Sequence, residues 1–365
     1  MKNIAYIMHI PYEWAKQRPQ FLAEELSAFF DLSIGTIESF RKGNLRKEKT
    51  PTKHKRSHVL PLGHKSSFVR RLNSILIGKQ LQSIIKSNEI IWITHPKLWP
   101  AIKPYLSENH VVIYDCMDNV IEFPKEKKNI LLRKETQSFE KDLLQNANIS
   151  IFSSETLMKT LAERYKTKGK NWNVLNNGIS GNLLEHFENQ NVIKPILKFS
   201  KKRVVYLGTI SLWFNFDLII NSLKKHSNLE IHLYGPKEVE IPPHDGLFYH
   251  GPIPHSQIFE ILELSDCLIM PFKINSLIES VNPVKLYEYI ASGKPSIAPN
   301  YHESSHFKDF VHLYDSEAEW DFLITELINN RLSSKQDQKT ALTFCRKNTW
   351  KQRALTIKTI LSQIN

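Results

Sequence analysis

The sequence predicts an α/β protein made of two doubly wound, parallel-sheet domains. Three observations lead there. At 365 residues the chain is too long for one ordinary core. Strand-like apolar runs alternate with segments of helical period, and they do so twice over. Several of those strands, such as Ile90–Thr94, are continuously apolar rather than alternating, as a sheet covered on both faces requires.

The first half opens with a strand over Lys2–Met8 and a helix over Trp14–Phe30, followed by a strand over Asp31–Ile37. From Arg41 to Arg56 stand eight Lys or Arg residues against the single acid Glu48, which reads as a basic, solvated loop. A short strand near His58–Leu60 precedes a helix over Phe68–Lys86. Strands follow at Ile90–Thr94 and Val111–Tyr114, then a helix over Leu131–Asn146 and a strand over Ile149–Phe152. A helix over Ser154–Tyr165, capped by Ser153 or Ser154, and a strand at Trp172–Leu175 end this half. Asn176-Asn-Gly178 is a natural hinge. The second half places strands at Arg203–Leu207, Leu229–Tyr234, Leu247–Tyr249, Cys267–Met270 and Ser296–Ala298, with helices between them, one over Ser256–Leu264. The tail from Lys335 reads as helices, and Trp350, Ala354, Ile357 and Leu361 recur at helical spacing in the last. The resulting domains are 1–178 and 179–346, with 347–365 as a terminal helix. Ligands are expected in a cleft at the carboxyl ends of the strands.

The most informative stretch is Ser280–Pro295, a short helix with both ends marked. Asn282 is a good N-cap and Pro283 suits the first helical position. Gly293 fits the left-handed residue after the last turn, and Pro295 forbids continuation. Bare N–H groups and the positive end of the helix dipole make a ready anion site. Lys285 adds a cation to that first turn, which is unfavourable unless an anion sits there. Glu288 shares its face. A phosphate site with a carboxylate one turn on suits a nucleotide, and an ordinary capped surface helix with a Lys–Glu pair is the plain alternative.

Absences narrow the chemistry. The chain carries only 12 glycines, and neither G-x-G-x-x-G nor a P-loop is present. H-E-x-x-H, C-x-x-C and G-x-S-x-G are absent too, so a protein-bound metal is not expected and a hydrolase is disfavoured. Cys116, Cys267 and Cys345 are isolated, which fits a reducing cytoplasm. No apolar run reaches bilayer length, and no cleavable leader is evident after Met1. The net charge of +12 asks for an anionic partner. The Arg41–Arg56 run lacks aromatic residues and so the stacking surface of a nucleic-acid binder; an anionic membrane face fits it better.

Five places, in order along nearly the whole chain, resemble the GT-B glycosyltransferases, and among them the bacterial members of family 4 and the teichuronic acid type. They are Trp14 with Arg18-Pro-Gln20; Tyr114-Asp-Cys-Met-Asp118; Asn176-Asn-Gly178; Tyr206-Leu-Gly-Thr-Ile210 with Trp213 and Asp217; and Ser265-Asp266 through Pro271-Phe-Lys to Asn282-Pro-Val-Lys-Leu-Tyr-Glu-Tyr and Ala291-Ser-Gly-Lys-Pro. The resemblance implies two Rossmann-like domains facing a central cleft, with the C-terminal helix returning to the first. It implies transfer of a sugar from a nucleotide-sugar to a lipid-linked or growing cell-surface saccharide, such as an O-antigen or capsule, on the inner membrane face, without cofactor or metal.

Roles follow residue by residue. Glu288 matches the glutamate that holds the donor's ribose; Lys285 with the backbone of Val281, Asn282 and Pro283 would hold its diphosphate. Ser280 stands where a first glutamate is usual, with Glu279 one place off, and this leaves the stereochemical outcome open. Gly208 belongs to the loop after the first strand of the donor domain. Trp213 would stack near the nucleotide or serve as a core aromatic. If the reaction inverts, Asp118 is the preferred base, the alternative being an N-cap. His9, at the end of the first strand, touches acceptor or donor phosphate or is a loop histidine. Trp14, Arg18 and Asp115 are candidates for the acceptor; Arg18 equally suits a packing salt bridge, and Asp115 a turn. A sugar-nucleotide epimerase of the same fold and a non-catalytic nucleotide- or polyanion-binding module are the competing readings, a phosphorylase being disfavoured by size.

Overall fold

In the computed structural model of the chain the described residues are 2–13, 16–39, 53–63, 65–169, 171–189 and 200–363. They fall into two compact units, Met1–Asn176 with Arg353–Asn365, and Asn177–Gln352.

The strands of the first unit are β1 (Asn3–Met8), β2 (Asp31–Ser39), β3 (His54–Val59), β4 (Ile90–Ile93), β5 (Val111–Cys116), β6 (Ile149–Phe152) and β7 (Trp172–Val174). Its helices are α1 (Arg18–Leu26), α2 (Ser67–Lys86), α3 (Trp99–Ile102), α4 (Pro124–Lys128), α5 (Ile130–Asn146) and α6 (Glu155–Tyr165). The described strands pair in the order β3-β2-β1-β4-β5-β6-β7, each pair parallel. Central β4 and β6 are buried at every residue, whereas edge strand β3 is mostly not. The continuous apolar runs therefore meant what a two-faced parallel sheet makes them mean. The order reverses beside β1, so the carboxyl ends of β1, β4 and β5 form the switch point where such sheets hold ligands.

Three local differences from the sequence reading have physical causes. The helix expected over Trp14–Phe30 runs only from Arg18 to Leu26. Pro19 fits only a first turn, and the Gln20 side chain accepts from the Gln17 amide at 3.1 Å, which sets the start there. Strand β5 extends two residues past Tyr114 and takes Asp115 into the sheet. Of the expected basic loop, residues 41–52 lie outside the described residues, while β3 begins at His54, far earlier than His58. Its cations are engaged there: Lys53 pairs with Asp31, and Arg56 with Glu13 and Glu38.

The second unit holds β8 (Lys202–Leu207), β9 (Leu229–Tyr234), β10 (Leu247–Gly251), β11 (Cys267–Ile269), β12 (Ser296–Pro299) and β13 (His312–Tyr314). Its helices are α7 (Gly181–Glu188), α8 (Phe216–Lys225), α9 (Ile258–Glu263), α10 (Val284–Ser292), α11 (His302–Ser305), α12 (Glu317–Ile328) and α13 (Gln338–Lys347). The parallel order is β10-β9-β8-β11-β12-β13, again reversing beside the first strand of the unit. Strand β13 was not foreseen: His-Leu-Tyr is too short and mixed to announce itself, and it is fixed by pairing with β12.

The last helix, α14 (Trp350–Ser362), begins in the second unit and belongs to the first from Arg353 onward. Trp350, Ala354, Ile357 and Leu361 are all buried. Lys2 Nζ donates to the Leu361 carbonyl at 3.4 Å, and Lys358 Nζ lies 4.9 Å from the Phe29 ring centre. None of the described helices is long and apolar enough to cross a membrane.

Candidate functional site

Each unit carries one group of chemically notable residues at the carboxyl ends of its strands. In the second unit the group surrounds α10. Gly293 takes the left-handed conformation (φ 69°) and ends the helix, and its position leaves no room for a Cβ beside Gln338. The start differs from expectation. Pro283 is the N-cap and no side chain caps the first turn. Asn282 is buried instead, and its carboxamide oxygen accepts from the Asn177 amide at 3.0 Å, while Asn177 Nδ2 donates to the Asn282 carbonyl at 2.8 Å. The residue best suited to cap thus holds the crossover segment, and the α10 N-terminus has no side chain of its own across it.

Lys285 Nζ lies 3.0 Å from a carboxylate oxygen of buried Glu288. The pair offsets two costs at once, a cation at the positive end of a helix and a carboxylate out of water. Tyr289, buried on the same helix, accepts from the Leu207 amide at 3.1 Å and donates to the Ile269 carbonyl at 3.2 Å, so α10 is tied to the carboxyl ends of β8 and β11. Ser280 Oγ donates to the Leu277 carbonyl at 2.8 Å, and the Val281 carbonyl accepts from Tyr301 at 3.1 Å. Gly208 ends β8 against the loop after β9; a Cβ on Gly235 would stand 2.0 Å from the Gly208 oxygen. Trp213 is half-buried and packs on the core cluster that contains Leu286 and Tyr289. Ser280 is buried in this group, whereas Glu279 beside it is exposed.

In the first unit a cavity of about 170 Å³ is lined by His9, Gln17, Thr94, His95, Tyr114, Met117, Asp118, Val120 and Phe123. His9 Nδ1 lies 3.0 Å from Thr94 Oγ1, which also donates to the Ile7 carbonyl. Its ring lies 4.8 Å from that of His95, centre to centre. His95 Nδ1 accepts from the Lys97 amide at 3.1 Å, and burial, then His9 and Lys97, hold its pKa well below the histidine range. His95 is therefore a neutral imidazole with Nε2 as its N–H. Asp118 stands past the end of β5 in a loop held by Ser153, whose hydroxyl donates to the Met117 carbonyl at 2.6 Å. Desolvation raises the Asp118 pKa to about 6, against the lowering charge of Arg18, with Asp115 adding to the rise. The N-cap alternative fails, since the following 3₁₀ turn starts from Asn119.

Arg18 and Asp115 are not available to an acceptor. Both side chains are buried; Arg18 Nε and Nη2 donate to Asp115 at 3.0 and 2.9 Å, and Nη1 to the Leu175 carbonyl at 2.7 Å. The cause is the extra length of β5, which puts Asp115 inside the sheet, where a carboxylate requires a partner. Trp14 lies outside the described residues.

No protein-family model matches the chain. TuaH of Bacillus subtilis (strain 168), named as a teichuronic acid biosynthesis glycosyltransferase, is 25% identical over 236 residues, 61% of this chain and 59% of TuaH. The match thus spans well under two thirds of that relative. Sucrose-phosphate synthase from Thermosynechococcus elongatus superposes with a TM-score of 0.74 at 12% identity, covering 100% of this chain and 99% of that one. HepE of Anabaena, solved with UDP-glucose, gives 0.71 at 12% identity with both chains fully covered. The fold is GT-B.

Within the GT-B fold, the sequence reading missed Thr94 and His95. Their signal was positional: Thr94-His95-Pro96 directly follows β4, as His9 follows β1 and Asp118 follows β5. Among the described residues one group could hold a metal ion, His302, Glu303 and His306, whose ligand atoms lie within 4.8 Å of one another on and beside α11. Replacing Asp115 with Ala strands the Arg18 guanidinium in the core. The expected loss is about 3–5 kcal/mol of unfolding free energy, measured by urea denaturation of the full chain.

Proposed function

We propose that the protein is a glycosyltransferase that moves a sugar from a nucleotide-sugar to a lipid-linked or growing cell-surface saccharide at an anionic membrane face. The observation that carries the reading is Asp118. A carboxylate at a strand end, lining a cavity and held near pKa 6, has the affinity for a proton that a general base needs near neutrality. The likeness to TuaH supports the transfer and the saccharide class, and the likeness to HepE makes UDP-glucose the first donor to try.

In this reading Asp118 takes the proton of the acceptor hydroxyl, whose oxygen bonds to the sugar's anomeric carbon. The bond from that carbon to the diphosphate breaks, and its electron pair leaves with the nucleotide. This is an inverting transfer. His9 and neutral His95, which line the same cavity, orient the acceptor in this reading. In the second unit, the open N–H groups of α10 and Lys285 receive the diphosphate, Glu288 the ribose, and Gly208, Trp213, Ser280, Val281 and Asn282 shape the surroundings. Developing charge on the leaving group is met by a helix dipole and one ammonium, so no metal is needed.

Lys285→Ala and Glu288→Ala are each expected to lower kcat/KM about 100-fold and to abolish the thermal shift given by UDP. Intact transfer in both would remove the donor assignment. Because Asp118 must be ionised to act, kcat/KM should rise as pH increases through about 6 and level off above it. Asp118→Asn should lose both the activity and that acid limb. Transfer should proceed at an unchanged rate in EDTA; a rate restored only by added divalent cation would overturn the metal-free step.

A further inference from the structure

We propose that the outer face of α2 and the adjoining start of α5 form the surface by which the first unit docks on an anionic lipid bilayer. From Lys49 to Asn88 the sequence has no Asp or Glu, and the described part of that run, from Lys53, carries eight Lys or Arg. The outward stripe of α2 is Phe68, Arg71, Ile75, Lys79 and Lys86, residues three, four or seven apart that are all exposed. Such a face, apolar and cationic by turns, is what an interfacial helix presents to headgroups and the acyl boundary.

Exposure of large apolar side chains concentrates here: Phe68 is 69%, Leu62 54%, Ile130 68% and Leu131 73% exposed. Arg70 joins the parts, pairing with Glu135 of α5 and donating to the Gly63 carbonyl at 3.0 Å. Around the second apolar pair stand the exposed cations Lys125, Lys127, Lys128 and Lys134, whereas neighbouring Glu122 and Glu126 are buried in ion pairs. The acids are turned in and the cations out, so the patch is complementary to anionic headgroups. Both α2 and α5 start from the carboxyl ends of strands, the edge that carries the Asp118 cavity. Val120 and Phe123 line that cavity only a few residues before Ile130.

The inference rests on the membrane reading above for its partner but not on sugar transfer. The test is sedimentation of the full chain with vesicles of phosphatidylcholine alone or with phosphatidylglycerol, without substrate. Binding is expected only with phosphatidylglycerol and is expected to weaken in high salt. Phe68→Glu with Leu131→Glu should weaken it about tenfold or more, while Phe322→Glu, at an equally exposed site of the second unit, should not. Circular dichroism and UDP binding check that each variant is folded. Wild-type binding by the double variant overturns the proposal. So does loss of binding on reversing Lys42, Arg46 and Lys47 alone, or a dimer dispersed by Phe68→Glu with no vesicle binding.

Discussion

The guanidinium of Arg18, shut away from solvent against Asp115, is the interaction on which the working edge of the first unit depends. It ties the first residue of α1 to the end of β5 and to the Leu175 carbonyl beyond β7. Neither charge would be tolerable alone at that depth. Together they tie α1 to β5 beside the Met117–Asp118 loop. They also act on that loop, where the Arg18 charge opposes and the Asp115 charge reinforces the desolvation that lifts Asp118. Burial is the largest cause of that rise, and the two charges of the ion pair act on it in opposite directions.

The second unit solves a different problem. The donor site proposed there needs an open helix end, and an open helix end invites a cap. Here the natural cap, Asn282, is committed to Asn177. The cation that an anion would welcome is held by Glu288 until then. A diphosphate arriving at α10 would take Lys285 from its carboxylate and free that carboxylate for hydroxyl groups. Without ligand, half-buried Lys285 and buried Glu288 neutralise each other, and in the proposed donor complex they would make two separate contacts.

Much of this was legible in the residues. Continuous apolar runs revealed parallel strands, and the Trp350, Ala354, Ile357, Leu361 spacing revealed the buried face of α14. The end of α10 could be read from Gly293 because a left-handed backbone position needs a specific residue. Its beginning could not, because two equally good uses for Asn282 compete and only tertiary contact chooses between them. Arg18 and Asp115 failed as acceptor residues for a related reason. A charged side chain near a strand end is a binding group or a buried strut according to whether the strand runs one residue short or two residues long.

That length dependence explains why Asp118, rather than Asp115, is the carboxylate to which the proposed reaction gives the role of base. Three residues apart on one strand end, they receive opposite fates. Asp115 lies within the hydrogen-bonded ladder, pointing at a fixed cation; Asp118 lies past it, in a cavity wall with desolvation but no hydrogen-bonded cation among the described residues. The first is held by its guanidinium partner, whereas burial raises the pKa of the second to about 6. A general base has to be the second kind, because a carboxylate locked in the sheet against a guanidinium cannot come within hydrogen-bond reach of an acceptor hydroxyl.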